Sequence, residues 1–345
     1  MNVHLTNLGY VDKFQIYTKI QEIKYGNKMK RIQFHRYGDT DEMRLEDYQL
    51  PSLADDEILV KVEAASINPV DWKIRQGRMK LVTGSRFPRG MGQDFSGVVI
   101  EIGSHVKRLR VGDEVFGSTP VKSSGSFAET LITKEALAVV KPAEISFQEA
   151  AMLPIAASTA WVALVQKAKL KKGQSIFING AYGAVGQAAT QIAKSLGATV
   201  VGRVRADAMN DASAIGVDTP LDYSEPIPTN IMGKFDVVFD THGSLSASDE
   251  SKLLKHRGII LDISPSTTKM IRILFSKRRH FVMGKQDEFT LQHVADYASK
   301  GNLKLSVGRI VRLVDGIDLI KTLEAGISIR GKGIIVTDTS PEAPQ

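Results

Sequence analysis

From Ser175 onward, short apolar runs alternate with amphipathic stretches. Ser175–Asn179, Thr199–Val204, Phe235–Asp240 and Ile259–Ile263 are rich in Val, Ile and Phe, the pattern of strands buried on both faces. Between them, Ala184–Leu196, Ala206–Ile215 and Ser248–His256 read as helices. In the first, Val185, Ala188, Ala189, Ile192, Ala193 and Leu196 share one face and Gly197 supplies the stop; Gly258 closes the third. This rhythm predicts an α/β fold with a doubly wound parallel sheet. Upstream, from Met29 to about Met152, turn chemistry separates shorter strands: Arg31–His35, Ile58–Val62, Val98–Ile102, a turn and strand over Val111–Gly117, and Phe127–Ile132. That density suggests a compact all-β or partly open barrel. Near the C-terminus, Glu288–Lys300 and Asp315–Glu324 read as helices, and Gly333–Thr337 as a strand that rejoins the first domain. Residues 1–28 read as a polar extension without a catalytic role, with Ile16, Ile20 and Ile23 at helical spacing.

The junction of the first buried strand and its helix carries the chemistry. Ile176–Asn179 runs through Gly180-Ala181-Tyr182-Gly183-Ala184-Val185-Gly186 into the helix. Gly183 and Gly186 form the second half of a dinucleotide fingerprint, with Ala181 where the first glycine usually stands. Small residues let the backbone approach a pyrophosphate, and free N–H groups at the positive end of the helix attract its charge. Gly180, Ala181, Gly183, Ala184, Val185 and Gly186 are therefore the candidate phosphate cradle.

Composition narrows the options. At 345 residues, two domains are expected. The longest nearly apolar stretch, Ala150–Val165, contains Pro154 and falls short of the ~20 residues that span a bilayer. No secretory signal stands out, so a cytoplasmic location is expected. The chain has no cysteine, which excludes disulfides, a thiol nucleophile and thiolate metal ligands. The net charge of +7 suits an anionic ligand. The basic run Lys277-Arg278-Arg279-His280 reads as a solvated element end rather than a nucleic-acid patch.

Several segments, in order from about Met29 to Thr337, resemble the medium-chain dehydrogenases/reductases. They are Ala64–Lys73, Gly92-Gln93-Asp94-Phe95-Ser96-Gly97-Val98-Val99, Val111–Gly117, Gly125–Glu129, Asp222-Tyr223, Asp236–Asp240 and Gly331-Lys332-Gly333. The branch they resemble most is that of the zinc-independent quinone oxidoreductases and enone reductases, which includes zeta-crystallin. The resemblance implies a GroES-like β-rich catalytic domain over 29–152 and 285–345 and a Rossmann domain over 153–284. Zinc-dependent members carry a cysteine where this chain has Asn68, and a His-Glu pair where it has Gln93-Asp94. No catalytic metal is expected.

NAD-selective folds usually end the second strand on an acid that bonds the ribose 2′-hydroxyl. Here the strand ends Arg203-Val204-Arg205, with no acid before Asp207, and a guanidinium suits a 2′-phosphate. By resemblance, Arg205 replaces a serine that contacts this phosphate, and Tyr223 matches a tyrosine that reaches it. NADPH is the expected cofactor. The resemblance also implies that Thr159, the Thr241-His242-Gly243 turn and Ile263-Ser264 surround the nicotinamide end. His242 reads either as a proton donor or as a structural polar group. Asn68 and Lys73 are candidates to orient the substrate or the nicotinamide ribose, with Asp71 bracing their loop. The expected reaction is hydride transfer to a quinone or an α,β-unsaturated carbonyl compound, in a homodimer. Two rivals stand beside it. Reduction of an enoyl thioester is disfavoured by Arg78-Met79 after Gln76-Gly77, where such reductases carry a tyrosine. The other is a crystallin-like NADPH-binding protein with an RNA-binding role.

Overall fold

The computed structural model describes residues 29–338 and 340; the 1–28 extension lies outside the described residues. The chain forms two compact units. One runs to Val140 and takes back Ile310–Ile327 and the segment from Ile334; the other is Lys141–Arg309 with Ser328–Gly333.

In the first unit, Glu57–Ser66 is the central strand of an antiparallel sheet. It pairs with Asp94–Ile102 and Thr130–Lys134, and Ile334, Ile335 and Val336 pair with Ser66, Ala65 and Ala64. The C-terminal strand thus rejoins this unit, as its sequence pattern predicts. Ile58, Val60, Val62, Phe95, Val99, Val115 and Phe116 are among its buried apolar side chains. A second, smaller sheet pairs Met29–Phe34 with Arg44–Tyr48 and Arg89–Gly90.

The second unit is built on a parallel sheet. In chain order it comprises β1 (Ser175–Asn179), α1 (Ala184–Ser195), β2 (Thr199–Val204), α2 (Met209–Ala214), β3 (Thr219–Asp222), β4 (Phe235–Asp240), α3 (Ala247–Leu253), β5 (Leu254–Asp262), α4 (Thr267–Leu274) and β6 (Arg279–Phe281). The spatial order is β3-β2-β1-β4-β5-β6. The order reverses between β1 and β4, and the carboxyl ends of the strands around that point are where such sheets bind ligands. Phe177, Phe235, Val238, Leu245, Leu253 and Ile260 form a core cluster here. Each such side chain contributes about 1.5–3 kcal/mol by leaving water.

Three sequence expectations are corrected here. The helix predicted over Ser248–His256 stops at Leu253, because Leu254 already pairs with Phe235 and starts β5. The helix predicted over Ala206–Ile215 is a 3-10 turn, Ala206–Ala208, followed by the short α2. The stretch Arg279–Phe281, within and beyond the basic run, is an edge strand, and the Arg279 side chain is only 10% exposed. The partition also differs from the expected boundaries. The helix Glu288–Ser299 falls in the second unit, where His293 stacks on Trp161 with ring centroids 4.7 Å apart.

Candidate active site

The turn after β1 has the shape of an anion cradle. Gly180 has φ +83, a conformation glycine adopts without strain. A Cβ on Gly186 would lie 2.1 Å from the Gly180 carbonyl oxygen, so α1 starts directly against the turn. A Cβ on Gly202 would lie 2.6 Å from that of Ala181, so β2 passes equally close. Gly183 is the N-cap residue, and no side chain caps α1. A Cβ at Gly183 would meet only the Gly180 oxygen, at 3.4 Å. The first-turn N–H groups therefore stay open at the positive end of a 12-residue helix.

Cationic groups gather at the carboxyl end of β2. Arg205 pairs with Asp207 (Nη2–Oδ2 2.8 Å), and Arg330 reaches the same carboxylate oxygen at 3.4 Å. Burial opposes ionisation of Asp207, but hydrogen bonds and charge from the two guanidiniums hold its pKa below the usual carboxylate value. Arg203 is used differently. It lies 4.8 Å over the Tyr223 ring and donates to the backbone oxygens of Tyr223 (2.6 Å) and Glu225 (3.1 Å), fixing the loop that carries the tyrosine. The Tyr223 hydroxyl donates to Ser244 Oγ at 2.6 Å and stands 3.3 Å from His242 Nδ1.

The loops after β4 and β5 meet. Gly243 has φ +85, and a Cβ on it would lie 2.7 Å from the Ser264 carbonyl oxygen. Beneath them, Asp240 accepts hydrogen bonds from Asn179 Nδ2 (2.8 Å), from the N–H groups of His242 (3.2 Å), Gly243 (2.8 Å) and Leu245 (3.1 Å), and from Lys269 Nζ (2.8 Å). Lys269 also pairs with Glu250 (2.6 Å) and Asp262 (3.0 Å), and Arg279 pairs with Glu250 at 2.5 Å. Three carboxylates thus face two cations. Burial, together with the charges of Asp240 and Glu250, pushes the Asp262 carboxyl up to about 6 despite its bond to Lys269. Asp240, Glu250 and Asp262 are close enough to share a metal ion, but the ammonium of Lys269 already bonds all three. Thr159 is buried and its hydroxyl donates to Ile155 O within its own helix. A Cβ on Gly284 would lie 2.5 Å from Thr159 Oγ1.

In the first unit, the helix Pro69–Arg75 opens on a polar cluster. Asp71 Oδ2 accepts from the Asn68 N–H at 2.7 Å, so Asp71 braces the loop. Asn68 Nδ2 donates to Ser66 O (3.2 Å) and Asp94 Oδ2 (2.9 Å), and only 4% of the residue is exposed. Its amide hydrogens are therefore engaged within the protein. The neighbouring Gln93 keeps a buried Nε2 without a hydrogen-bond partner among the described residues. Lys73 is half-buried.

Comparisons with known proteins agree with this architecture. The profile described as "Alcohol dehydrogenase GroES-like domain" matches residues 54–143. A quinone-oxidoreductase homolog from chloroplasts of Spinacia oleracea is 34% identical over 266 residues, covering 73% of this chain and 81% of the relative. The chain is a medium-chain dehydrogenase/reductase. Within that superfamily it belongs with the quinone oxidoreductases, and it is an oxidoreductase. An NADPH-dependent alkenal/one oxidoreductase from chloroplasts of Arabidopsis thaliana is 35% identical over 250 residues, covering 70% of this chain and 64% of the relative. The solved quinone oxidoreductase from Coxiella burnetii superposes with a TM-score of 0.82 at 30% identity, covering 90% of this chain and 99% of that one. No described helix of this dehydrogenase/reductase is long and apolar enough to cross a membrane.

Within the oxidoreductase fold, Gly180, Ala181, Gly183, Ala184, Val185 and Gly186 fall together at the β1–α1 turn. Tyr223, His242, Gly243, Ile263 and Ser264 lie at or just beyond the carboxyl ends of β3, β4 and β5. Arg203 and Arg205 both close β2, but only Arg205, with its side chain 60% exposed, presents its guanidinium outward. Three roles escaped the sequence reading, although Gln93 itself is read there as replacing a zinc ligand. Arg330 joins Arg205 although 125 positions away. Lys269 stands immediately before the apolar stretch Met270–Phe275, where nothing in the sequence marks it as part of a site. Gln93 signals only through a missing partner.

Proposed function

We propose that this oxidoreductase reduces small quinones or α,β-unsaturated carbonyl compounds with NADPH and without zinc. The observation that carries the reading is the end of β2. Its acid, Asp207, is neutralised by Arg205 and Arg330, so two guanidiniums face the place where an NAD-selective fold presents a carboxylate. The fit to a dinucleotide rests on the glycine-lined cradle, in which a side chain at Gly186 would strike backbone, and on the uncapped N-terminus of α1. Gly183, Ala184, Val185 and Gly186 would hold the pyrophosphate. Arg205, Arg330 and Tyr223 would hold the 2′-phosphate, with Thr159, His242, Gly243, Ile263 and Ser264 around the nicotinamide. When bound, the cofactor supplies the hydride.

Hydride addition to either acceptor class places negative charge on oxygen, which a hydrogen-bond donor stabilises. Asn68 has its amide hydrogens committed, so we assign it and Asp71 to holding the loop. To that oxygen we assign Gln93 Nε2, which has no partner among the described residues, together with the Lys73 ammonium. Zinc would need ligands in the positions that Asn68, Gln93 and Asp94 occupy. An amide pair with a carboxylate already bonded to Asn68 is a poor set for that ion. We also propose a homodimer, which sedimentation velocity reads directly as a two-chain species; a single-chain species contradicts it.

Arg205→Ala and Arg330→Ala test the cofactor assignment. Each is expected to weaken NADPH about tenfold, measured by cofactor fluorescence, and to leave NADH within twofold. Equal losses for both cofactors would contradict it.

A further inference from the structure

We propose that Lys269 is a positioning residue for the nicotinamide end of the site. Its buried ammonium ties the carboxyl ends of β4 and β5 into one unit and so sets the two loops that follow them. The inference rests on the functional reading above and adds a residue that touches no ligand itself.

The argument starts from what the ammonium holds. Lys269 Nζ lies 2.8 Å from Asp240 at the end of β4, 3.0 Å from Asp262 at the end of β5 and 2.6 Å from Glu250 in α3. Its side chain is 4% exposed. Those carboxylates in turn hold backbone. Asp240 accepts from the N–H groups of His242, Gly243 and Leu245, and Asp262 Oδ1 accepts from the Ser264 N–H at 3.3 Å. Both loops assigned above to the nicotinamide end are therefore one hydrogen bond away from a carboxylate that Lys269 bonds. Gly243 and Ser264 approach too closely for a side chain, so a shift of one loop moves the other.

Charge explains why a lysine is needed. Asp240, Glu250 and Asp262 converge within a few ångströms, and Arg279 answers only Glu250. Without Lys269, Asp240 and Asp262 would face each other with no cation between them. Buried like charges either take up a proton or move apart, and both outcomes alter the hydrogen bonds to His242, Gly243 and Ser264. Arginine keeps the charge and can bridge several carboxylates; methionine keeps the length and loses the charge.

The test uses the full chain with Lys269→Met, Lys269→Arg and Asp262→Ala. Two quantities are read: NADPH affinity by fluorescence, and amide hydrogen exchange of residues 241–245 and 263–265 in cofactor-free protein. Lys269→Met is expected to weaken NADPH at least tenfold and to speed exchange in both loops. In turnover, KM for NADPH should rise more than kcat falls. Lys269→Arg is expected to restore affinity to within about threefold. If Lys269→Met does not fold, Asp262→Ala decides, because it removes the excess charge together with the Ser264 anchor. It should speed exchange at 263–265 and weaken NADPH about fivefold. Affinity and exchange unchanged in the folded variants would overturn the inference. A wild-type chain that does not bind NADPH would instead overturn the functional reading, while loop exchange in Lys269→Met would still report whether the ammonium holds the loops.

Discussion

Alanine at Gly186 would put a methyl carbon 2.1 Å from the Gly180 carbonyl oxygen and 2.8 Å from the backbone of Ala181. The first is about 1 Å and the second a few tenths of an ångström inside any tolerable contact, and neither obstacle is a flexible side chain. Overpacking of this kind costs about 1–3 kcal/mol, and backbone on the receiving side favours the upper end. Alanine's better helix propensity returns up to about 1 kcal/mol, leaving a net loss of about 2 kcal/mol in the second unit. Gly183→Ala is the contrast. Gly183 has φ −71, and its added methyl meets only one oxygen at 3.4 Å. Its stability should stay within about 0.5 kcal/mol, while a side chain at the N-cap of α1 should weaken NADPH about tenfold. The chain's two tryptophans allow a clean assay. Replacing Trp72 with Phe leaves Trp161, buried against His293 in the second unit, as the reporter of urea unfolding. With a slope of about 2 kcal/mol/M, Gly186→Ala should lower the midpoint by about 1 M. A midpoint within about 0.2 M of the parent, or an equal fall in Gly183→Ala, would refute the reading of the turn.

Other consequences can be checked with single substitutions. Asp207→Asn frees Arg205 and Arg330 from their shared carboxylate oxygen and should tighten NADPH roughly threefold to tenfold by fluorescence titration, without helping NADH. Gln93→Leu removes a buried amide nitrogen that lacks a partner; it should raise unfolding stability by about 1 kcal/mol and lower kcat about 10- to 100-fold. Asp262 gives a pH signature. Its folded-state pKa, about 6, lies above the ordinary 3.8, so its favourable contribution is complete below about pH 4 and lost as pH rises through about 6. Asp262→Asn should match the wild type at pH 4 and exceed its stability by about 2–3 kcal/mol at pH 7.5, measured by denaturant unfolding. A constant difference across that range would count against the raised pKa.

The parallel sheet was the most legible part of the chain, because β1 and β4 are almost wholly buried, and β2 and the second half of β5 also announce themselves as apolar runs. The edge strands β3 and β6 were not, since Thr219–Asp222 and Arg279–Phe281 carry polar residues that a half-covered strand tolerates. The end of the helix predicted through His256 was hidden because Leu254 becomes a strand residue through its pairing with Phe235, a contact no local window contains. The cradle was readable because glycine spacing encodes close backbone approach. The second cationic partner of Asp207 was not, because Arg330 arrives from the far end of the unit. Lys269 was concealed for a related reason: it is a single lysine before an apolar stretch, and only the folded sheet puts three carboxylates around its ammonium.

The central claim is tested most directly by initial rates of NADPH and NADH oxidation at matched concentrations, with a benzoquinone and with a short-chain enone as acceptors. The account predicts turnover of at least one acceptor, with kcat/KM at least tenfold higher for NADPH than for NADH. Equal or greater efficiency with NADH, or tight NADPH binding with no turnover of either acceptor, would contradict it.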